Sequence, residues 1–224
     1  MCQFKCVIFD LDGVICSTDE RHYQSWQALA DQLGIPFSRE VNNRFRGVSR
    51  MACMDILAEI DGKHYTDEEK VEYATWKNDY YRQLLGEMSP KDLSAEVKST
   101  LDELRARGYL LTIGSSSKNT KYILQRLGLE GYFDAISDGT NIVRSKPDPE
   151  VFLKSAGFIS MPYENCLVVE DAISGVEAAH AAGMRAAAIG DAAENNVGDY
   201  ILESFSDLLE LLPSKHKDIY KRGM

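Results

Sequence analysis

The chain has 224 residues, 44% of them hydrophobic, and a formal net charge of −10, which suffices for one sizeable core and a smaller second one. Overall acidity argues against a nucleic-acid or anionic-membrane surface, since both need clustered cations, so any phosphate must be met by a few placed Lys or Arg. No stretch approaches the ~20 apolar residues of a membrane span, and the expected setting is the cytoplasm.

Cys6-Val7-Ile8-Phe9 reads as a buried parallel strand, too short for an ordinary helix and stopped by Gly13. It delivers Asp10 and Asp12, with one residue between them, to a strand exit. Two like charges beside a sheet core repel each other, and desolvation penalises both unless something compensates. A divalent cation compensates, and would also neutralise a phosphate brought to the same place. The pair therefore points to metal-assisted phosphoryl chemistry on a carboxylate nucleophile. Taken alone, it reads equally well as two solvated turn acids.

The following segment has a different texture. Tyr23, Trp26, Ala30 and Leu33 mark a helix, Ser49 caps a second carrying Met51, Met54 and Leu57, and Thr66 with Glu69 makes a capping box for a third. Strand signals are nearly absent. Residues 17–88 are expected to form an all-helical cap domain over the carboxyl ends of the strands, where open α/β sheets bind ligands. The joints should fall near Cys16 to Thr18 and Met88 to Lys91.

From Ala95 onward helix and strand alternate. Val97, Leu101 and Leu104 give a helical face closed by Gly108, and Tyr109 to Ile113 reads as a strand ending at Gly114. Ile123, Leu124 and Leu127 form the next helix, capped by Gly128. Asp148 as N-cap and Pro149 at the first helical position open another, with Phe152, Leu153 and Ala156, stopping at Gly157. Cys166 to Val169 is a buried strand, Ile173, Val176, Ala179 and Ala182 line a helix ended by Gly183, and Ala186 to Ile189 is a further strand. Repeated βα units imply an α/β fold, a doubly wound parallel-sheet, Rossmann-like core of residues 1–16 and 89–224. Within it, the basic residues 215–224 read as a mobile tail. The five cysteines, Cys2, Cys6, Cys16, Cys53 and Cys166, show no C-x-x-C spacing and read as incidental thiols in a reducing compartment.

A doubly wound sheet brings its strand ends to one crevice. The first supplies Asp10 and Asp12. The second supplies Ser115, Ser116, Ser117, Lys118 and Asn119 just before a helix, in outline a phosphate cradle and otherwise a serine-rich loop. Lys146 stands between Ser145 and Pro147, where the prolines stiffen the backbone. The strand at Cys166 to Val169 runs into Glu170 and Asp171, a second acidic strand exit, and with Asp10 these supply carboxylates for a Mg²⁺ site.

The ordered set Asp10-x-Asp12-Gly13-Val14, Ser115, Lys146 and Glu170-Asp171 resembles all four motifs of the haloacid dehalogenase superfamily of phosphotransferases, over nearly the whole chain. The resemblance implies Asp10 as nucleophile forming an aspartyl phosphate and Asp12 as general acid/base. It further implies Ser115 and Lys146 orienting the phosphoryl group, and Mg²⁺ held by Asp10, the Asp12 carbonyl, Glu170 and Asp171. Within the superfamily the cap and second motif are similar to the β-phosphoglucomutase branch: His22, Trp26, Gly47-Val48-Ser49-Arg50, Lys77-Asn78-Asp79 and Ser115 to Asn119. That likeness implies that Arg50, Ser117, Lys118 and Asn119 hold a second, non-transferring phosphate, while His22 and Lys77 sense cap closure and orient the sugar. Thr18, Trp26, Gly47, Val48, Ser49 and Ser116 complete the implied substrate-binding set. Two departures stand out: Ser17-Thr18 at the first hinge, where many members have an acid before the threonine, and Ser116 where the mutases often have Ala.

Three functions compete at this stage. The first is a mutase interconverting β-D-glucose 1-phosphate and glucose 6-phosphate through a β-glucose 1,6-bisphosphate. The second is a sugar-phosphate phosphatase in which water intercepts the aspartyl phosphate. The third, a phosphorylated signalling module of the receiver type, is disfavoured because such modules are much shorter and carry no large helical insertion. A small-molecule sugar phosphate is the expected partner of a monomer, with no nucleic acid and no membrane.

Overall fold

The computed structural model describes residues 4–45 and 50–214. These form two units, one of Ser17–Met88 and the other of the segments on either side of it. β1 (Cys6–Phe9) opens the sheet unit with all four residues buried.

The helical unit then contributes α1 (Asp19–Leu33), α2 (Arg39–Asn43), α3 (Arg50–Asp61) and α4 (Asp67–Gly86). Trp26, Leu29 and Ala30 of α1 pack with Cys53, Met54 and Leu57 of α3 and Ala74 of α4. α1 ends where Gly34 adopts φ +72°, a left-handed turn that glycine adopts without a Cβ penalty. The capping box of α4 forms as expected, with Glu69 N–H donating to Thr66 Oγ1 and Thr66 N–H to the Glu69 carboxylate. Met51, expected on the inward face of α3, is 40% exposed, because the buried stripe passes through Cys53, Met54 and Leu57. Gly47, Val48 and Ser49, the last expected to cap this helix, lie outside the described residues, as do Cys2 and the proposed tail.

The sheet unit resumes with α5 (Ala95–Ala106), β2 (Leu110–Gly114), α6 (Thr120–Arg126), β3 (Ala135–Ser137), α7 (Glu150–Phe158), β4 (Cys166–Glu170), α8 (Ile173–Ala181), β5 (Arg185–Ala188), α9 (Gly190–Glu194), β6 (Tyr200–Ile201) and α10 (Leu208–Leu211). The six strands pair in parallel in the order β3-β2-β1-β4-β5-β6. Phe9 is in register with Ile113 on one side and Val169 on the other. The next residues of the three central strands, Asp10, Gly114 and Glu170, therefore emerge level with one another. The order reverses between β1 and β4, and such switch points are where open α/β sheets leave a crevice. Ile8, Val168 and Phe152 fill the core beneath, and the small Ala178, Ala179, Ala186 and Ala188 allow α8 close to the sheet.

Four local expectations shift. β3 and β6, of three and two residues, were not expected, since elements so short carry no periodicity. α7 begins at Glu150, although Asp148 Oδ1 still accepts the Glu150 N–H at 3.0 Å, a cap-like bond one position early. The same helix passes Gly157 and ends at Phe158, with the left-handed turn taken by Ser160 at φ 53°. Ile173, expected to face inward, is 42% exposed. Among the described residues no helix is long and apolar enough to cross a membrane.

Replacing Thr66 by Ala removes one half of a reciprocal cap and should lower stability by about 1 kcal/mol. Urea unfolding should show a lower midpoint at unchanged slope.

Candidate active site

Asp10 continues the ladder past β1, its N–H donating to Val169 O at 3.0 Å, and its side chain is buried. Beyond it the chain reverses in a tight turn: Gly13 N–H donates to Cys16 O, and the amides of Ile15 and Cys16 donate to Leu11 O. Gly13 takes φ +85°, and a Cβ there would lie 2.0 Å from Asp171 Oδ2. Gly175, near the start of α8, makes the same allowance for Glu170, whose Cδ would be 2.0 Å from an added Cβ. These two glycines let both acids of the β4 exit approach the backbone closely.

Lys146 bridges the acids, its Nζ donating to both Asp10 Oδ1 and Glu170 Oε1. Beneath the ammonium lies the Phe152 ring, with its centroid 4.8 Å away. The second Glu170 oxygen accepts the Ala172 N–H at 3.1 Å. The loop carrying Lys146 is tied down at Glu150, whose Oε2 accepts the N–H groups of Val143 and Arg144.

The electrostatics follow from burial. Desolvation would lower the pKa of Lys146, but the charges of Asp10 and Glu170 overcome it and hold the ammonium above the ordinary lysine range. Burial raises Glu170, with Asp10 adding to the effect and Lys146 opposing it. Asp171 is pushed up to about 8, by burial first and then by the charges of Asp10, Glu170 and Asp12. Asp10 and Glu170 thus share the one lysine, with Asp171 inside their field.

Ser115, at the exit of β2, is buried; its N–H donates to Ser137 O at 3.1 Å and its Oγ accepts the Ser117 N–H at 3.2 Å. Ser117 Oγ accepts from Asn119 N–H in turn, while Lys118 is exposed and Asn119 buried. The Ser115 to Asn119 segment is a hydroxyl-rich loop held by its own backbone.

A family model described as haloacid dehalogenase-like hydrolase matches residues 4–183. The chain belongs to the haloacid dehalogenase-like hydrolases. It is 37% identical over 211 residues to a β-phosphoglucomutase of Bacillus subtilis, covering 93% of each chain. It is also 30% identical over 183 residues to a phosphorylated carbohydrates phosphatase of Thermotoga maritima, covering 80% of this chain and 82% of that one. The crystal structure of a β-phosphoglucomutase from Clostridium difficile superposes with a TM-score of 0.83 at 34% identity, covering 92% of this chain and 93% of that one.

For a haloacid dehalogenase-like enzyme, a phosphate-handling site needs compensating positive charge, and the donor set suits a small hard cation. It offers carboxylate oxygens, and burial first, then the neighbouring acids, keep the pKa values of Glu170 and Asp171 raised even beside Lys146. Among the described residues no three acidic, His or Cys side chains form a ready-made cage. Mg²⁺ takes few protein oxygens and leaves positions for water and phosphate. Gly175 and Glu150 support the site and were not singled out from sequence, while Gly13 and Phe152 were read there only as a strand stop within the first motif and as a helix-face residue; the contacts reveal what they do.

The remaining candidates cluster within the helical unit. Lys77 is 3% exposed, with its Nζ 3.1 Å from His22 Nδ1 and 4.7 Å from the ring centroids of both Trp26 and Tyr81. His22 stacks on Tyr81 at 4.1 Å, and the Tyr81 hydroxyl donates to Thr18 Oγ1. Arg50 donates to Asn78 Oδ1 at 2.7 Å. Trp26 is also core, edge-on to Phe45. Burial, then the Arg50 charge, lowers Lys77 to about 7; burial, then Lys77 and Arg50, puts His22 well below the usual histidine range.

Lysine in an unfolded chain stays charged to about pH 10.5, so between pH 7 and 10.5 the folded chain holds fewer protons than the unfolded one. Stability then rises with pH across that window. A tenfold change in proton affinity corresponds to about 1.4 kcal/mol. Lys77→Met should therefore be more stable than the parent at pH 6 by several kcal/mol, with the gap closing towards pH 10. Urea midpoints at both pH values check this, and a gap independent of pH would contradict it.

Proposed function

We propose that the protein is a β-phosphoglucomutase, interconverting β-D-glucose 1-phosphate and glucose 6-phosphate through an aspartyl-phosphate enzyme and a β-glucose 1,6-bisphosphate intermediate. The observation that carries the reading is the reach of the likeness to the Bacillus subtilis mutase, which extends over nearly the whole chain, helical unit included.

In this reading an Asp10 oxygen attacks phosphorus, the bond from phosphorus to the sugar oxygen breaks, and Asp12 delivers a proton to that oxygen. In the return half-reaction Asp12 removes the proton of the accepting hydroxyl as its oxygen attacks phosphorus and the Asp10 carboxylate leaves. Lys146, already ion-paired to Asp10, fixes the nucleophile and meets a phosphoryl oxygen. Ser115 supplies a hydroxyl beside it. Mg²⁺ held by Asp10, the Asp12 carbonyl, Glu170 and Asp171 would supply the positive charge that offsets these acids and the transferring phosphoryl group. Phosphoryl transfer passes through a loose, charged transition state, so placement and electrostatics carry the catalysis. A bisphosphate must present either end to Asp10, so the phosphate that stays on the sugar needs hydroxyls and a cation of its own. Ser117, Lys118 and Asn119 are our assignment for that role.

The phosphatase reading keeps the same first half-reaction and replaces the accepting hydroxyl with water. The likeness to the Thermotoga maritima phosphatase supports it as the alternative. Incubation with β-glucose 1-phosphate, Mg²⁺ and trace β-glucose 1,6-bisphosphate should yield glucose 6-phosphate faster than inorganic phosphate, with α-glucose 1-phosphate inert. Lys118→Ala should depress glucose 6-phosphate formation far more than hydrolysis. Inorganic phosphate as the main product would assign the phosphatase instead.

A further inference from the structure

The exit of β3 meets the exit of β2 in a two-point clamp. Ser115 N–H donates to Ser137 O and Gly139 N–H donates to Ser117 O, each at 3.1 Å. Gly139 is pressed against the loop so closely that a Cβ would lie 2.4 Å from Ser116 O and 2.8 Å from Lys118 N. Any side chain at this position would push the loop away. Ser116 is thus the middle residue of one clamped segment, and Asp138 the middle residue of the other.

Both middle residues carry a buried polar atom with an unmet need. Asp138 is fully buried. Its Oδ1 accepts from the N–H of Thr140 at 2.9 Å and from the Thr140 hydroxyl at 2.5 Å, while its Oδ2 is buried without a hydrogen-bond partner. Ser116 Oγ is likewise buried without one. A carboxylate oxygen accepts and a hydroxyl donates. Buried polar atoms left unpaired are rare enough in native proteins that each calls for a reason.

We propose that Asp138 is a positioning residue for the Ser115 to Asn119 loop, acting through one water that bridges the Ser116 hydroxyl and its second oxygen. The bridge locks the centre of a loop whose two flanks the backbone clamp already holds, and so sets where Ser115 stands relative to Asp10. This rests on the reading that the loop grips phosphate. It assigns to Ser116, whose hydroxyl an alanine would lack, a task distinct from touching the substrate.

The test is a double-mutant cycle on the full chain, with kcat and KM measured on total consumption of β-glucose 1-phosphate to either product, and urea unfolding run beside it. Asp138→Ala should lower kcat by about tenfold, the scale of one hydrogen bond, with little change in KM. Asp138→Asn should restore most of that loss, because its carbonyl still accepts from Thr140 while its amide nitrogen donates to the bridging water. Adding Ser116→Ala to Asp138→Ala should cost nothing further. An unchanged kcat beside a lowered unfolding midpoint, or losses that multiply in the double variant, would overturn the proposal. Should Asp138→Ala not fold, Ser116→Ala alone must lower kcat several-fold, and an unchanged kcat there would overturn it equally. Inorganic phosphate as the main product would sink the mutase reading and leave this cycle intact, since capture of the phosphoryl group by Asp10 is common to both.

Discussion

The sheet unit is organised around a charge imbalance, four acids at adjoining strand exits against one lysine. Lys146 reaches Asp10 and Glu170 together, and the two belong to strands whose register makes their exits level. A single ammonium cannot offset four carboxylates in a desolvated crevice, which is why Glu170 and Asp171 keep raised pKa values even with Lys146 present. The surroundings preserve this state. Glycine at 13 and at 175 leaves room for the acids, and Glu150 holds the loop that delivers the lysine.

Two buried lysines show how far surroundings, and not burial alone, decide a residue's chemistry. Desolvation is the largest influence on both. Lys146 faces two carboxylates and stays charged across the working pH range. Lys77 faces a histidine nitrogen and two aromatic rings, with the Arg50 charge acting on it, and sits close to its own titration point near neutrality. The first is suited to a permanent electrostatic task beside Asp10. The second gains most from the arrival of an anion, because a negative group nearby would favour its charged form. Aromatic faces offset part of the cost of holding that charge out of water.

Much of this was readable in the sequence because it rests on short-range pattern. Four apolar residues followed by Asp-x-Asp-Gly give a buried strand and its acidic exit; Thr66 with Glu69 gives a cap; Glu170 and Asp171 repeat the first exit further on. The fold class followed from the alternation after Ala95. What escaped depends on contacts between distant segments. β3 has three residues and no period, so its exit turn could not be paired with the Ser115 loop. Gly175 is one glycine among sixteen until Glu170 is seen against it. Pro149 concealed the start of α7, because the fixed φ of proline suits the turn before a helix as well as its first position. Ile173 and Met51 fit a helical stripe by spacing, and only packing shows that the stripe runs beside them.

Under the proposed function, the choice between mutase and phosphatase turns on what reaches a phosphorylated Asp10, and the chemistry of the strand exits is indifferent to it. Asp12 can serve either acceptor, since a sugar hydroxyl and a water present the same proton to the same base. Selectivity must come from elements that hold the second phosphate and keep water out, because exclusion of water raises every electrostatic interaction inside the site and removes the competing nucleophile together. Residues 17–88 stand between the first and second strands and contribute no strand to the ladder that sets Asp10 level with Glu170. Under the proposed activity, then, transfer of the phosphoryl group and the hold on the second phosphate both fall to strand exits of the sheet unit, Asp10 after β1 and Ser117 to Asn119 after β2.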